Sequence, residues 1–307
     1  MMAKLLLIKT GFNNSTRYVA AVITLTSALA ILFARPNPDH LIRRPATWVD
    51  MRVFIDTQAF CHAPFAWLTA SICLLFFGFY AIWFNLEEWA AAKGLGYKDR
   101  IPGGSDLTLP NEVPEDAVRT FYLLSIMNAT STLGRLSSAY LCDHFGALNV
   151  HAVVTFVASL LVLVLWTTTK TVAAAIAFVV LFGIFSGAVV GLPPASVAYI
   201  LGPSSKAQSK LGQWTGMMYS SAALFALTGP VIAGHLISYY DGNYLTVQCW
   251  SGVCLFLSSA CMGMAIFCKH RKSDEEILDC HQRSVSSRAK STARIVGSPE
   301  GSEKEDV

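Results

Sequence analysis

From Phe145 to Thr169 the chain contains no Asp, Glu, Lys or Arg, and about 20 apolar residues are enough for one helix to cross a bilayer. Backbone polar groups cannot stay unpaired in lipid, so a segment of this kind must be helical. Further runs lie at Tyr18–Ala34, Ala63–Leu86, Phe121–Cys142, Thr171–Leu201, Leu211–Tyr240 and Gly242–Cys268, which makes seven, and within them only Arg135 carries a formal charge. The composition agrees: 53% of residues are hydrophobic and 14% charged, with a mean hydropathy of +0.47. These values lie far from those of a soluble domain and predict an all-α, multi-pass membrane protein. Tyr18–Ala34 sits at the short limit of about 17 residues. Its Ser27-Ala28-Leu29-Ala30 also suits a cleaved signal peptide; we read it as a span.

The connections divide the chain. Residues 1–17 form an N-terminal segment and 18–34 the first transmembrane helix. Residues 35–61 form a basic linker with Arg35, Arg43, Arg44 and Arg52 and two helix-breaking prolines, Pro36 and Pro38. Residues 62–268 hold six further helices. Inside that bundle, the stretch from Glu87 to Arg119 contains Pro102, Gly103, Gly104, Pro110 and Pro114, the composition of a solvated loop. From Lys269 to Val307 the chain is charged and Ser-rich, with too little apolar surface to fold, and a disordered cytoplasmic tail is expected. Lys and Arg divide almost evenly between the alternating sides, so the bias of basic residues towards cytoplasmic loops does not orient the chain. Asn13 and Asn14 each begin a glycosylation sequon, usable only if the N-terminus is lumenal.

Several function classes are excluded. A net charge of +3 without interleaved aromatic residues gives no footprint for nucleic acid. The eight cysteines contain no CxxC pair, so neither a zinc site nor a disulfide framework is predicted. Cys254, Cys261 and Cys268 share a helix face, as small packing residues do. No carboxylate or histidine cluster at helical spacing supports a polytopic membrane enzyme, and no cofactor or metal is implied. His151 and His235 lie in spans, as helix contacts or proton carriers.

Two segments predict close packing and broken helices. Gly183, Gly187 and Gly191 recur every fourth residue, so they line one helix face and admit another backbone. Leu192-Pro193-Pro194 then removes two backbone donors and ends or bends that helix. Gly229-Pro230 repeats the device one helix later. Arg135 carries most functional weight, because a charge well inside a span is costly in lipid and a functional role is its default reading.

Four blocks in register carry a resemblance: Tyr122-Leu123-Leu124-Ser125-Ile126-Met127-Asn128-Ala129 followed by Gly134-Arg135; Tyr140-Leu141-Cys142-Asp143-His144-Phe145-Gly146; Leu181-Phe182-Gly183-Ile184-Phe185-Ser186-Gly187-Ala188; and Leu227-Thr228-Gly229-Pro230. From Gly11 to Cys268 the chain resembles the monocarboxylate-porter branch of the major facilitator superfamily, its fungal members above all. The resemblance implies twelve helices in two six-helix halves, with a substrate path between the halves and alternating access. The runs here correspond to the family's sixth to twelfth helices, the C-terminal half plus one helix.

On the resemblance, Arg135 corresponds to an intramembrane arginine that neutralises a carboxylate substrate, with Asn128 and Ser131 on the same helix. Ser131 stands where animal members carry an aspartate. Asp143 and Gly146 match a loop motif that holds one conformational state, with Ala139 and His144 replacing its usual glycine and arginine. The expected function is transport of small organic acids or related metabolites across the plasma membrane, without a cofactor, by a truncated chain. Its expected partners are the lipid bilayer and either the missing N-terminal half or a second copy. The alternatives are a non-transporting half-length membrane protein or fragment and, less favoured, a membrane enzyme.

Overall fold

The computed structural model describes residues 2–33, 55–96, 120–204 and 208–296. All regular elements among these are helical: α1 (Met2–Phe33), α2 (Thr57–Cys61), α3 (Ala63–Ala92), α4 (Phe121–Phe145), α5 (Ala147–Leu160) continued by a π-helical segment (Leu161–Trp166), α6 (Val172–Gly191), α7 (Pro193–Leu201), α8 (Leu211–Tyr239) and α9 (Leu245–Val296). Six of these helices, one of them α5 with its π-helical continuation, are long and apolar enough to cross a membrane. The long helix that falls short is α4, where Arg135 and a series of Ser, Thr and Asn residues lower the hydropathy. Most of the basic linker (34–54) and the solvated loop (97–119) lie outside the described residues.

α3 is the axis of the bundle. Leu68, Ile72, Leu75, Ile82 and Leu86 are fully buried along it, and it packs against α9 on one side and α8 on the other. Small residues set these approaches. A Cβ on Gly78 would stand 2.7 Å from Cys254 Cβ and 2.8 Å from the Ser251 carbonyl, so α9 reaches α3 at backbone distance. Nearby, Ser71 Oγ lies 2.9 Å from Ser258 Oγ and donates to the Ser258 carbonyl at 2.7 Å. Gly229 backs onto the Phe77 carbonyl, which brings α8 onto α3 at backbone distance as well. Pro230 sits inside α8, and the helix runs past it to Tyr239.

The second close pair is α4 with α6. Gly134 faces the backbone of Ile184, Gly183 faces Met127 and Thr130, and Gly187 faces the backbone of Ser131. Side chains of any size would push these helices apart. α5 and its π-helical extension brace the pair, and α9 keys onto that extension: Gln248 Nε2 donates to the Trp166 carbonyl at 3.2 Å, while Gly252 admits the Leu163 side chain.

Three contacts gather one end of the molecule. Lys210 Nζ pairs with Asp56 Oδ2 at 2.9 Å, Lys269 Nζ donates to the Tyr199 carbonyl at 2.6 Å, and the Tyr199 ring lies 3.1 Å from where a Cβ on Gly146 would be. The end of the linker, the α4–α5 turn, the end of α7 and the exit of α9 therefore share a side, as the alternation of spans predicts.

Two boundaries differ from the sequence expectation. α4 continues through Asp143, His144 and Phe145, so the turn to α5 is Gly146 alone. Its φ of +81° is open to glycine at little cost. α9 continues as helix to Val296, whereas the chain was expected to lose structure from Lys269. Residues 269–296 contain neither Pro nor Gly, and Gly297 and Pro299 follow the end, as helix stop signals do. α1 stands apart. None of its described side chains is buried, and all but Val19 are exposed, with Phe33 at 80% exposure.

Candidate functional site

α4 presents two kinds of surface. Leu123, Met127, Ser131, Gly134 and Ser138 are buried, forming the stripe that meets α6. Asn128, Thr132, Arg135, Ala139 and Asp143 are exposed, and their spacing of four and three residues puts them on one line along the helix. A neighbouring exposed line, Leu133, Leu136 and Tyr140, is apolar. A helix with separate packed, polar and apolar surfaces has three different neighbours to satisfy, and a polar line at membrane depth suits protein or water, not lipid.

Most polar groups on α4 are satisfied within the helix. Asn128 Nδ2 donates to the Leu124 carbonyl at 2.9 Å, Ser131 Oγ to the Asn128 carbonyl at 2.8 Å and Ser138 Oγ to the Arg135 carbonyl at 3.0 Å. Arg135 is different. Among the described residues its guanidinium has no carboxylate or carbonyl partner, and its stem runs past the end of α6, with Cγ 3.7 Å from the Cβ position of Gly191. Five N–H donors in a planar fork are thus free to meet a carboxylate bidentately.

The structure brings Asn128 and Arg135 together on the polar line, two turns or about 10 Å apart. It does not bring Ser131 with them. Ser131 is 4% exposed and its backbone lies against Gly187, so its hydroxyl belongs to the α4–α6 contact. Asp143 is exposed, and α5 begins without a side-chain cap. His144 stacks edge-on with Tyr140 at 4.8 Å. His151 is fully buried and bonds Ser196; His235 is exposed near Tyr239.

Sequence reading missed an aromatic ladder on α3. Phe76 and Tyr80 stack at 5.4 Å, Tyr80 and Phe84 follow at 6.3 Å, and Tyr219 of α8 meets Phe76 at 6.2 Å. Their spacing of four was a readable signal, obscured because every second residue of this helix is aromatic or aliphatic. Phe84 is 67% exposed. It also missed Asp56, which accepts from Lys210 Nζ and from Trp214 Nε1 at 3.4 Å; one of three aspartates in a basic linker carries no motif.

Among the described residues, an all-helical set of long apolar helices, beside which the less apolar α4 displays a polar line, defines a multi-pass membrane protein. The chain belongs to the Major Facilitator Superfamily, whose sequence profile matches residues 5–209. It is similar to the MFS-type transporter dbaD of Emericella nidulans, 27% identical over 79% of this chain and 48% of the relative. The aspyridones efflux protein apdF of the same organism is 26% identical over 78% of this chain and 42% of the relative. The MFS transporter asaE of Aspergillus flavus is 35% identical over 45% of this chain and 30% of the relative. The chain spans about half the length, or less, of these curated relatives. Two of these relatives are transporters by name and one an efflux protein.

Proposed function

We propose that this chain is the C-terminal half, with one preceding helix, of a monocarboxylate-porter-like carrier. It moves a small organic anion or related metabolite by alternating access across the plasma membrane. One observation carries the reading: among the described residues Arg135 stands unpaired on the polar line of the least apolar span. A cation held there without a counter-ion is expensive, and a substrate carboxylate relieves that cost when it arrives. Asn128, two turns away, offers its remaining amide donor and its oxygen to the same solute. Asp143 and His144 at the end of α4, with the turn at Gly146, meet the other half of the carrier at the end shared by Tyr199 and Lys269.

The end of the linker and the exit of α9 lie on one side, and we assign that side to the cytoplasm. The exposed polar line of α4 is the surface that the first half of the carrier, or a second copy of this chain, covers. A relative named for efflux supports outward movement, and the Phe76-Tyr80-Phe84 ladder favours a solute with a planar, conjugated part. Uptake of labelled benzoate and lactate into proteoliposomes holding the chain alone, or with a separately expressed first half, tests the reading. Transport that Arg135→Gln abolishes is expected; transport unaffected by Arg135→Gln overturns it. A chain that transports nothing in either format is the non-transporting membrane protein instead.

A further inference from the structure

At the exit of α9, Lys269 spends its charge on two neutral partners that belong to one residue. Its Nζ donates to the Tyr199 carbonyl at 2.6 Å and stands 3.1 Å from the centre of the Tyr199 ring. Among the described residues no carboxylate pairs with it. The phenolic end of the same ring closes over the turn between α4 and α5: Cε2, Cζ and Oη each lie 3.1 Å from where a Cβ on Gly146 would be. Tyr199 therefore joins the exit of α9 to the turn that follows Asp143 and His144.

Just beyond Lys269 lies Ser273-Asp274-Glu275-Glu276, one hydroxyl followed directly by three carboxylates. A protein kinase with a basic substrate groove selects a serine so placed, because the charges are complementary. α9 is unbroken through this stretch, so Ser273 stands four residues past Lys269, on the same face and one turn further out. Helical Cα–Cβ bonds tilt towards the N-terminus, and a group added at 273 leans towards 269. A phosphate there brings close to two negative charges and three acceptor oxygens. A hydrogen bond between two ionised groups is stronger than one from an ammonium to a neutral carbonyl, and a ring face attracts an ammonium more weakly than an anion does. Of the other residues one turn from 273, His270 adds a second donor, while Glu276 bears the same sign as the phosphate and does not compete for Lys269.

We propose that Ser273 is a phosphorylation site, and that its phosphate draws Lys269 off Tyr199 and so loosens the Gly146 turn. In the transfer, Ser273 Oγ attacks the γ-phosphorus of a nucleoside triphosphate held by the kinase. The bond from that phosphorus to the β-bridging oxygen breaks, the diphosphate leaves with the electron pair, and the hydroxyl proton passes to a base of the kinase. In the cell the site rests on the assignment of this end to the cytoplasm, where kinases and triphosphate are found. The chemistry and the contact with Lys269 do not depend on that assignment.

The full chain in nanodiscs, which leave both faces open, tests this with an acidophilic serine kinase and ATP. Peptide mass spectrometry is expected to find phosphate at Ser273, absent in Ser273→Ala and reduced about tenfold when Asp274→Asn, Glu275→Gln and Glu276→Gln are combined. Hydrogen exchange then reads the turn. Phosphorylation is expected to raise exchange at 144–148 about threefold. Lys269→Met is expected to raise it equally, and phosphorylation to add nothing further in that variant. Exchange in α3 serves as the folding control. Should Lys269→Met fail that control, Tyr199→Leu, which removes the ring and keeps the carbonyl, takes its place with the same lack of additivity expected. No phosphate at Ser273, phosphate there with unchanged exchange at 144–148, or additive effects of phosphorylation and the substitution would overturn the proposal.

Discussion

Gly187 of α6 lies directly against the backbone of Ser131 of α4, closer than a side chain permits. The contact explains why α4, the span that lipid favours least, still has a firm place. One stripe of small residues supplies dispersion contact along its packed side, and the polar line is left free. Gly187→Leu is expected to separate the helices and cost about 1–3 kcal/mol or more, read as a lowered unfolding temperature in detergent. Gly212→Ala is the matched control. Nothing lies within 4 Å of a Cβ there, and replacing a helical glycine is expected to leave stability unchanged or raise it by about 0.5–1 kcal/mol.

Arg135→Lys should separate charge from geometry. The ammonium keeps the charge and loses the planar fork, so binding of a carboxylate probe is expected to fall about tenfold, whereas Arg135→Gln removes it. Intrinsic tryptophan fluorescence titrated with benzoate measures both. Equal affinity in all three proteins would remove Arg135 from the site.

Gly146→Ala has two separate costs. Its φ of +81° disfavours a side chain by about 1–2 kcal/mol, and the new methyl group meets the Tyr199 ring at 3.1 Å. Adding Tyr199→Ala is expected to relieve the second cost and not the first, so the double variant stays less stable than Tyr199→Ala alone. Thermal unfolding of the four proteins gives the comparison.

Asp56 and Lys210 should contribute unequally. The Lys210 side chain is 49% exposed and that of Asp56 12%, so the ion pair itself is expected to add less than about 1 kcal/mol. Asp56→Ala also strands Trp214 Nε1 and is expected to cost more than Lys210→Ala. A double-mutant cycle in urea at low and high salt checks the order; salt should shrink the coupling and leave the Trp214 component in place.

The spans were legible because lipid imposes one secondary structure on a long uncharged run, and the glycine spacing of Gly183 and Gly187 disclosed a close helix contact before any partner was known. The partner was not legible, since Gly134 alone has no period. Ser131 shows the limit at the site: it is four residues from Arg135 and was grouped with it, yet 40° of helical rotation moves it from the polar line into the α6 contact. The helix beyond Lys269 was missed because composition was weighed there and the absence of Pro and Gly was not. Asp56, His151 and Ser196 act through residues distant in the chain, where no local pattern records the pairing.

α9 runs unbroken for 52 residues, about 78 Å, and is joined to α3 at Gly78 and Ser71 deep in the bundle. Past Arg271 the helix continues for about 38 Å, in line with the part joined to the axis of the fold. A tilt of about 10° in α9 sweeps its outer end by about 7 Å, so a dye near Val296 would report, magnified, rearrangements that are small where they begin.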